Sequence, residues 1–309
     1  MDRGFMPTII EEKRQLPALI QLLGDDDPKI STVAFRKLQE LEADHRAMLE
    51  TAAYGDDDPN VRIRLRRLLD ETRFTRLEQE LKRLLYEEGD YFDLEQGVFL
   101  LSRIESPTVN VNGLTHQLDE LALQVKRHAA EETSLSRVLE ALNTVLFQQE
   151  HFRGNTGDYY DPQNSFIHTL LERRVGIPIS LSVLYMLIAK RLSLPVYGIS
   201  LPTHFLCKYK KLSGQEVFID VFNKGRILTK KECITYLLRN GFTYRPEYFR
   251  IASPRGIIVR MMNNLIHIYQ HHQHYRKLNI LHRFYQIAVP TDKWMDNDDF
   301  FAEDDGIEF

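Results

Sequence analysis

Gly176-Ile-Pro-Ile-Ser-Leu-Ser-Val-Leu-Tyr-Met-Leu-Ile-Ala-Lys190 is the stretch that decides the fold. Gly176 and Pro178 end one helix and start another, because proline fixes φ and needs no backbone donor in a first helical turn. Residues 179 to 192 are apolar almost all round, and a helix without a polar face is buried on every side. Beyond it, Val196 to Leu201 is rich in strand formers. His204 to Tyr209 and Glu216 to Phe222 flank Lys211-Leu-Ser-Gly-Gln, a hairpin connection. Thr229-Lys-Lys-Glu232 is a capping box that opens a helix through Leu238. Residues 255 to 288 read as two more helices, and Asp292 to Phe309 as an acidic tail.

Before the central helix, Phe166 to Arg174 is helical, and 151 to 165 is a long run of turn formers. A loop of that length inside a compact domain is often functional. Residues 76 to 150 have helical spacing: Phe99, Leu100, Leu101 and Ile104, then Leu118, Leu121 and Val125, then Val138, Leu142 and Leu146, interrupted by Pro107 to Gly113. At the N-terminus a motif repeats. Leu22-Leu-Gly-Asp-Asp-Asp-Pro28 is echoed by Ala53-Tyr-Gly-Asp-Asp-Asp-Pro59, with Gly24 and Gly55 31 residues apart. Each copy closes a helix with Gly and opens the next with Asp and Pro. Val33, Leu38 and Leu41 in one copy, and Ile63, Leu65, Leu68 and Leu69 in the other, continue at helical period. Such units resemble HEAT or armadillo repeats, though the spacing is somewhat short. Two units are fewer than a free-standing solenoid needs, so they are expected to pack against the rest of the chain.

Composition narrows the function classes. A hydrophobic fraction of 43% and a charged fraction of 27% suit a globular protein. A net charge of −4 argues against a general nucleic-acid binder. Cys207 and Cys233 are too few for a disulfide framework, which fits a reducing compartment. No apolar leader or membrane-length run is present, so a cytoplasmic protein is expected.

The candidate chemistry sits on the hairpin. A turn centred on Leu212 or Ser213 makes His204 and Asp220 face each other, and an aspartate beside an imidazole fixes its tautomer and supports its charged form. Phe152-Arg-Gly-Asn155, Asp158-Tyr-Tyr-Asp-Pro, Asn164-Ser-Phe, Leu171-Glu-Arg-Arg-Val-Gly-Ile-Pro-Ile-Ser-Leu-Ser182, Leu201-Pro-Thr-His-Phe-Leu206 and Phe218-Ile-Asp-Val-Phe222 together resemble the SirB family, a branch of the transglutaminase-like superfamily. The resemblance covers about residues 90 to 290. It implies a Cys-His-Asp triad on helix, strand and strand, whose second and third members match His204 and Asp220. Its cysteine position, which would open the central helix between Pro178 and Ser180, holds no cysteine. Ser180 is the one chemically possible replacement. The same module occurs beside F-box segments in ubiquitin-ligase subunits, where it resembles a binding platform, and related bacterial chains end in tetratricopeptide-like helices.

The expected fold is therefore α+β. Its parts are HEAT-like helical repeats over 1–75, a transglutaminase-like domain with a central helix on a small antiparallel sheet over 76–250, a tetratricopeptide-like pair over 251–290, and an acidic tail over 291–309. Two function classes are open. One is a non-catalytic protein that binds a polypeptide or ligand through the ancestral cleft, with Arg153, Asn155, Asp158, Tyr159, Asn164 and Arg174 as candidate contacts. The other is a papain-like acyl-transfer enzyme or hydrolase using Ser180, His204 and Asp220. For His204 and Asp220 a hydrogen-bonded pair that locks the hairpin stands beside the catalytic reading. For Ser180 the alternative to a nucleophile is a hydroxyl bonded to its own backbone in a buried helix. Cys207, an odd number of residues from His204, is expected on the opposite strand face. No cofactor is implied. Asp158, Asp161, Asn155 and Asn164 lack the acidic pattern of a calcium loop. His267, His271 and His274 have a spacing that can hold zinc, without the accompanying glutamate pattern.

Overall fold

The computed structural model describes residues 9–130, 134–211 and 213–289. The acidic tail expected over 291–309 lies outside them. The chain divides into two compact units, Met1–Gln79 and Glu80–Phe309. The first holds α1 (Ile9–Leu23), α2 (Pro28–Gly55) and most of α3 (Pro59–Glu88). The repeated motif folds the same way twice. Asp25 Oδ1 accepts from Asp27 N at 2.7 Å, and Asp56 Oδ1 from Asp58 N at 2.9 Å. Asp27 and Asp58 then accept from Lys29 N and Asn60 N, filling the backbone donors that a helix start leaves open. Leu16, Leu23, Leu38, Leu49, Leu65 and Leu68 form this unit's core. Two expected core residues do not belong to it: Val33 and Ile63 are 68% and 63% exposed. The buried stripe runs instead through Ala34, Leu38 and Leu41, and through Val61, Leu65 and Leu68. The helical period holds, with Leu38, Leu41, Leu65 and Leu68 in the core as expected, and Ala34 and Val61 take the places expected of Val33 and Ile63.

In the second unit, α4 (Leu94–Glu105), α5 (Val111–Ala129) and α6 (Leu135–Asn143) run into a π-helical turn at Thr144–Gln149. Two short strands, β1 (Arg153–Gly154) and β2 (Val175–Gly176), pair in parallel and tie the base of the 151–165 loop to the end of α7 (Ile167–Arg173). Next come the central helix α8 (Pro178–Arg191) and an antiparallel sheet in the order β3 (Tyr197–Leu201), β4 (His204–Lys210), β5 (Glu216–Asp220), β6 (Arg226–Leu228). α9 (Lys230–Arg239), α10 (Pro254–His271) and α11 (Tyr275–Ala288) close the unit.

Every residue of α8 from Pro178 to Ala189 is buried, as its uniform hydropathy requires. α8 lies against one face of the sheet, where Cys207 Sγ donates to Ser182 O at 3.6 Å. Leu206, Phe218 and Leu228 on the other face join Cys233 and Leu237 of α9 in a second core. Covered on both faces, β4 is buried from His204 through Tyr209 and shows no alternation. The buried Lys208 ammonium is satisfied by Glu216 Oε1 at 3.1 Å and Phe249 O at 2.8 Å. The capping box at Thr229 and Glu232 forms as the sequence indicates. β6, only three residues long, has no sequence signal strong enough to mark it.

Two local expectations are corrected. The hairpin register pairs Cys207 with Ile219 and Lys208 with Phe218, so it centres on Ser213 and places Asp220 opposite Leu206, diagonal to His204. α10 ends at His271, so His274 stands in the turn before α11 and does not share a helix face with His267. Among the described residues, no cluster of His, Cys, Asp or Glu has the geometry to hold a metal ion.

Candidate functional site

The diagonal register still brings the two candidate side chains together. His204 and Leu206 point to one face of β4, and Asp220 lies across from Leu206 on that same face. Diagonal partners are within reach of long side chains. His204 Nε2 stands 3.2 Å from Asp220 Oδ1, with His204 5% and Asp220 0% exposed. Asp220 is held from its other side by Asn223, which donates its backbone N–H to Oδ1 at 3.2 Å and its amide to Oδ2 at 2.8 Å. Burial by itself raises an aspartate's pKa. The His204 charge and the bonds from His204 and Asn223 outweigh it, and the Asp220 carboxyl ends below its ordinary range. The pair is an anchored carboxylate beside an imidazole.

The turn that positions Asn223 is fixed from three elements. Gly225 N donates to Asp220 O at 2.8 Å. Gly225 has φ +75, and a Cβ there would sit 2.3 Å from Asn143 Oδ1. Asn143 closes on it, donating to Gly225 O at 3.2 Å and accepting from the buried Tyr185 hydroxyl of α8 at 3.0 Å. Only glycine satisfies both the left-handed backbone and the close approach.

Aromatic rings enclose His204. Phe222 lies edge-on to it at 6.4 Å between centroids, and Tyr236 of α9 at 6.0 Å. The Tyr236 hydroxyl shares a hydrogen bond of 3.0 Å with Thr203 Oγ1. Tyr159 reaches Phe222 at 6.5 Å, and a Cβ on Gly154 would come within 2.4 Å of the Phe222 ring. The 151–165 loop therefore roofs the histidine through Phe222. Thr203, Phe222, Asn223 and Tyr236 are members of this site that sequence reasoning did not single out. Asn223, three residues past Asp220 in a turn, carried a local signal. Tyr236 reaches the site only because α9 folds over the sheet.

Ser180 takes no part. It is 1% exposed, and its hydroxyl meets Asn164 O at 2.6 Å, Ile177 O at 3.1 Å and Ile177 N–H at 3.1 Å. Its one donor is thereby shared between two backbone carbonyls, and one of its two lone pairs is taken by a backbone N–H. No hydrogen bond joins Ser180 to His204. It sits in the third position of α8, where it accepts from the N–H of the capping residue Ile177, and it ties that helix to the loop through Asn164 O. The thiols offer no substitute. Both are buried, and both are displaced upward. Burial, then the charges of Glu232 and Asp220, push Cys233 up to about 12, and burial drives Cys207 up as well. An activated cysteine requires the reverse.

The candidate ligand contacts divide in two. Asn155, Asn164 and Arg174 hold the loop. Asn164 Nδ2 donates to Asp158 O at 2.8 Å and its Oδ1 accepts from Asn155 Nδ2 at 3.0 Å. Arg174, at φ +60, lies over Phe152 and pairs with Glu150 at 3.0 Å. Arg153 and Asp158 are exposed, and Tyr159 is half-buried against Tyr160 and Phe222.

Residues 113–263 match the family model described as the transglutaminase-like superfamily, so the second unit carries a transglutaminase-like domain. Three relatives are informative. F-box only protein 21 of Mus musculus is 31% identical over 217 residues, 60% of this chain and 34% of that protein. The UPF0162 protein of Xylella fastidiosa is 36% identical over 177 residues, 55% of this chain and 62% of that protein. The UPF0162 protein of Vibrio cholerae is 28% identical over 179 residues, 57% of this chain and 66% of that protein. The chain thus spans about a third of the F-box relative and under two thirds of the Xylella one. No solved structure matches it. No helix among the described residues is long and apolar enough to cross a membrane.

Proposed function

We propose that this chain is a non-catalytic, SirB-type transglutaminase-like protein that binds a polypeptide partner inside the cell, using the ancestral site roofed by the 151–165 loop and the helical-repeat surface. The observation that carries the proposal is the state of Ser180. It is the one hydroxyl at the ancestral nucleophile position, and its donor is held by the backbone carbonyls of Asn164 and Ile177 while it accepts from the Ile177 N–H. Acyl transfer needs a nucleophile within hydrogen-bond reach of its base. His204 and Asp220 persist in this reading as the pair that locks β4 to β5 beneath the loop. Exposed Arg153 and Asp158, with Tyr159, give the loop the polar and aromatic contacts that a peptide would meet. The two free, buried thiols agree with a reducing compartment. One relative is named as an F-box protein, which supports an adaptor role for the shared domain.

The acyl-transfer reading has one observation in its favour, the anchored His204–Asp220 pair itself. A serine-directed fluorophosphonate, followed by intact mass and peptide mapping, separates the two readings. The binding reading expects no adduct at Ser180, and no turnover of acyl-ester or amide substrates that His204→Ala removes. An adduct at Ser180 that disappears in His204→Ala would establish the enzyme.

A further inference from the structure

Positive charge is concentrated in one run of this chain. Between Lys224 and Arg250 stand seven Lys or Arg residues and two Glu, a net +5 inside a chain of net −4. The whole run lies among the described residues, and Lys224, Lys230, Lys231 and Arg239 are exposed. The nearby carboxylates are committed elsewhere. Asp220 is bound by His204 and Asn223, Glu232 by Thr229, and Glu247 by Arg250 at 3.5 Å. Among the described residues, no carboxylate pairs with Lys224, Lys230, Lys231 or Arg239. Lys230 and Lys231 also open α9, where the helix dipole favours anions and disfavours cations.

The same run contains an edge of the sheet. β6 is the last strand in the order, and among the described residues no strand pairs with its outer side. Ile227 on that strand is 53% exposed, and Leu238 on the outer face of α9 is 59% exposed. A strand edge offers backbone donors and acceptors that another extended backbone satisfies. Cations on an edge also discourage pairing with a second copy, whose edge carries the same charge. That accounts for Arg226 on β6 and Lys224 beside it. It does not account for Lys230, Lys231 and Arg239, which stand on α9. Edge and helix together admit a strand that brings carboxylates and repel a basic one. A nucleic acid or an anionic membrane would meet the cations but has no backbone to pair with the edge.

We propose that the β6 edge and the outer face of α9 form a docking surface for an acidic, extended segment of a partner polypeptide. The backbone of that segment pairs with Arg226–Leu228, and its carboxylates meet Lys224, Lys231 and Arg239. Aliphatic side chains that alternate with the acids cover Ile227. The surface uses no atom of the His204–Asp220 pair, so it holds whether or not that site is catalytic.

The probe is a fluorescein-labelled peptide of alternating Glu and Val, about eight residues long, which is strand length. Fluorescence anisotropy at low salt follows its binding to the full chain. Saturable binding is expected, with the amide resonances of Arg226–Leu228 shifting in NMR. A copy methylated at alternate backbone nitrogens keeps the charge and lacks the donors, and should bind at least about tenfold more weakly. Lys224→Glu with Lys231→Glu and Arg239→Glu should weaken the unmethylated peptide by at least about tenfold, and added salt should weaken it too. A thermal melt equal to that of the parent chain shows that the variant is folded. The proposal is overturned by an absence of saturable binding, by a methylated copy that binds equally, or by a variant that keeps the parent affinity. It is overturned as well if an oligothymidylate or phosphatidylserine vesicles bind this face in place of the peptide, which assigns it to nucleic acid or to a membrane.

Discussion

Removing the Asp220 carboxylate tests the site most directly. Asp220→Ala leaves the His204 ring, the Asn223 amide and the Asn223 N–H without their acceptor in a position that is 0% exposed. Leaving three buried donors without their acceptor costs about 3–5 kcal/mol in all, at upward of about 1 kcal/mol each. For a unit of this size that is a fall in melting temperature of about 6–20 °C. His204→Leu takes one of three donors from the buried carboxylate, which Asn223 still holds, and is expected to cost about 1–3 kcal/mol. Combining His204→Leu with Asp220→Ala removes both partners together. The double variant should be more stable than the sum of the single losses, with a coupling of about 2–3 kcal/mol. The assay is urea unfolding followed by far-ultraviolet circular dichroism at pH 7, for parent, singles and double. If Asp220→Ala and His204→Leu each cost less than about 1 kcal/mol, or if the double is additive, the pair does not lock the hairpin and the structural account of its retention is wrong.

The pH dependence has a definite sign. The Asp220 carboxyl is depressed in the folded chain, so the stability it supplies is present above the unfolded aspartate value of about 3.9 and is lost as pH falls through the lower folded value. Melts of the parent and of Asp220→Asn should therefore converge below about pH 4, and a gap that widens on acidification contradicts the assignment. Iodoacetamide at pH 8 should label neither Cys207 nor Cys233 in the native protein and both in urea; rapid labelling of either would show an open, activated thiol. The repeat glycines should respond oppositely to alanine. At Gly24 a Cβ would lie 2.5 Å from Asp58 Oδ2 and 2.8 Å from Val61 Cγ2, costing about 1–3 kcal/mol, whereas at Gly55 it meets nothing within 4 Å and should gain about 0.5–1 kcal/mol, both read by thermal melting. Gly154→Ala should displace Phe222 and destabilise the second unit by about 1–3 kcal/mol, with the His204 ring resonances in NMR moving as the direct report.

Local signals in the sequence reached a long way. The uniform hydropathy of Pro178 to Ala189 fixed a central buried helix, because a helix with no polar face has no other stable place. Asp-Pro and Thr-x-x-Glu marked helix starts that form with the hydrogen bonds those residues imply, because a cap involves only its immediate neighbours. The pairing of His204 with Asp220 was legible for a related reason: a strand–turn–strand sequence constrains which side chains share a face. Its register was one step off, since the count across Lys211 to Gln215 depends on how the turn itself closes. Phase was lost in the same way at Val33 and Ile63, where period alone does not say which residue meets the neighbouring helix.

What decides the chemistry is set by tertiary placement. Ser180 can be read from sequence as a nucleophile or as a hydroxyl bonded to its own backbone, and the packed chain adds Asn164 O, 16 residues away, as the shortest of its backbone partners. Tyr236 and Phe222 enclose His204 because α9 brings one ring to it and the 151–165 loop packs against the other. The burial of Cys207 against α8, and of Cys233 beneath the sheet, removes the thiols from consideration through desolvation. The sequence by itself determined the elements, their order and the identity of the paired residues, because those depend on periodicity and near-neighbour hydrogen bonds. Which polar groups are left available for function depended on contacts between distant segments, and those exist only once the chain is packed.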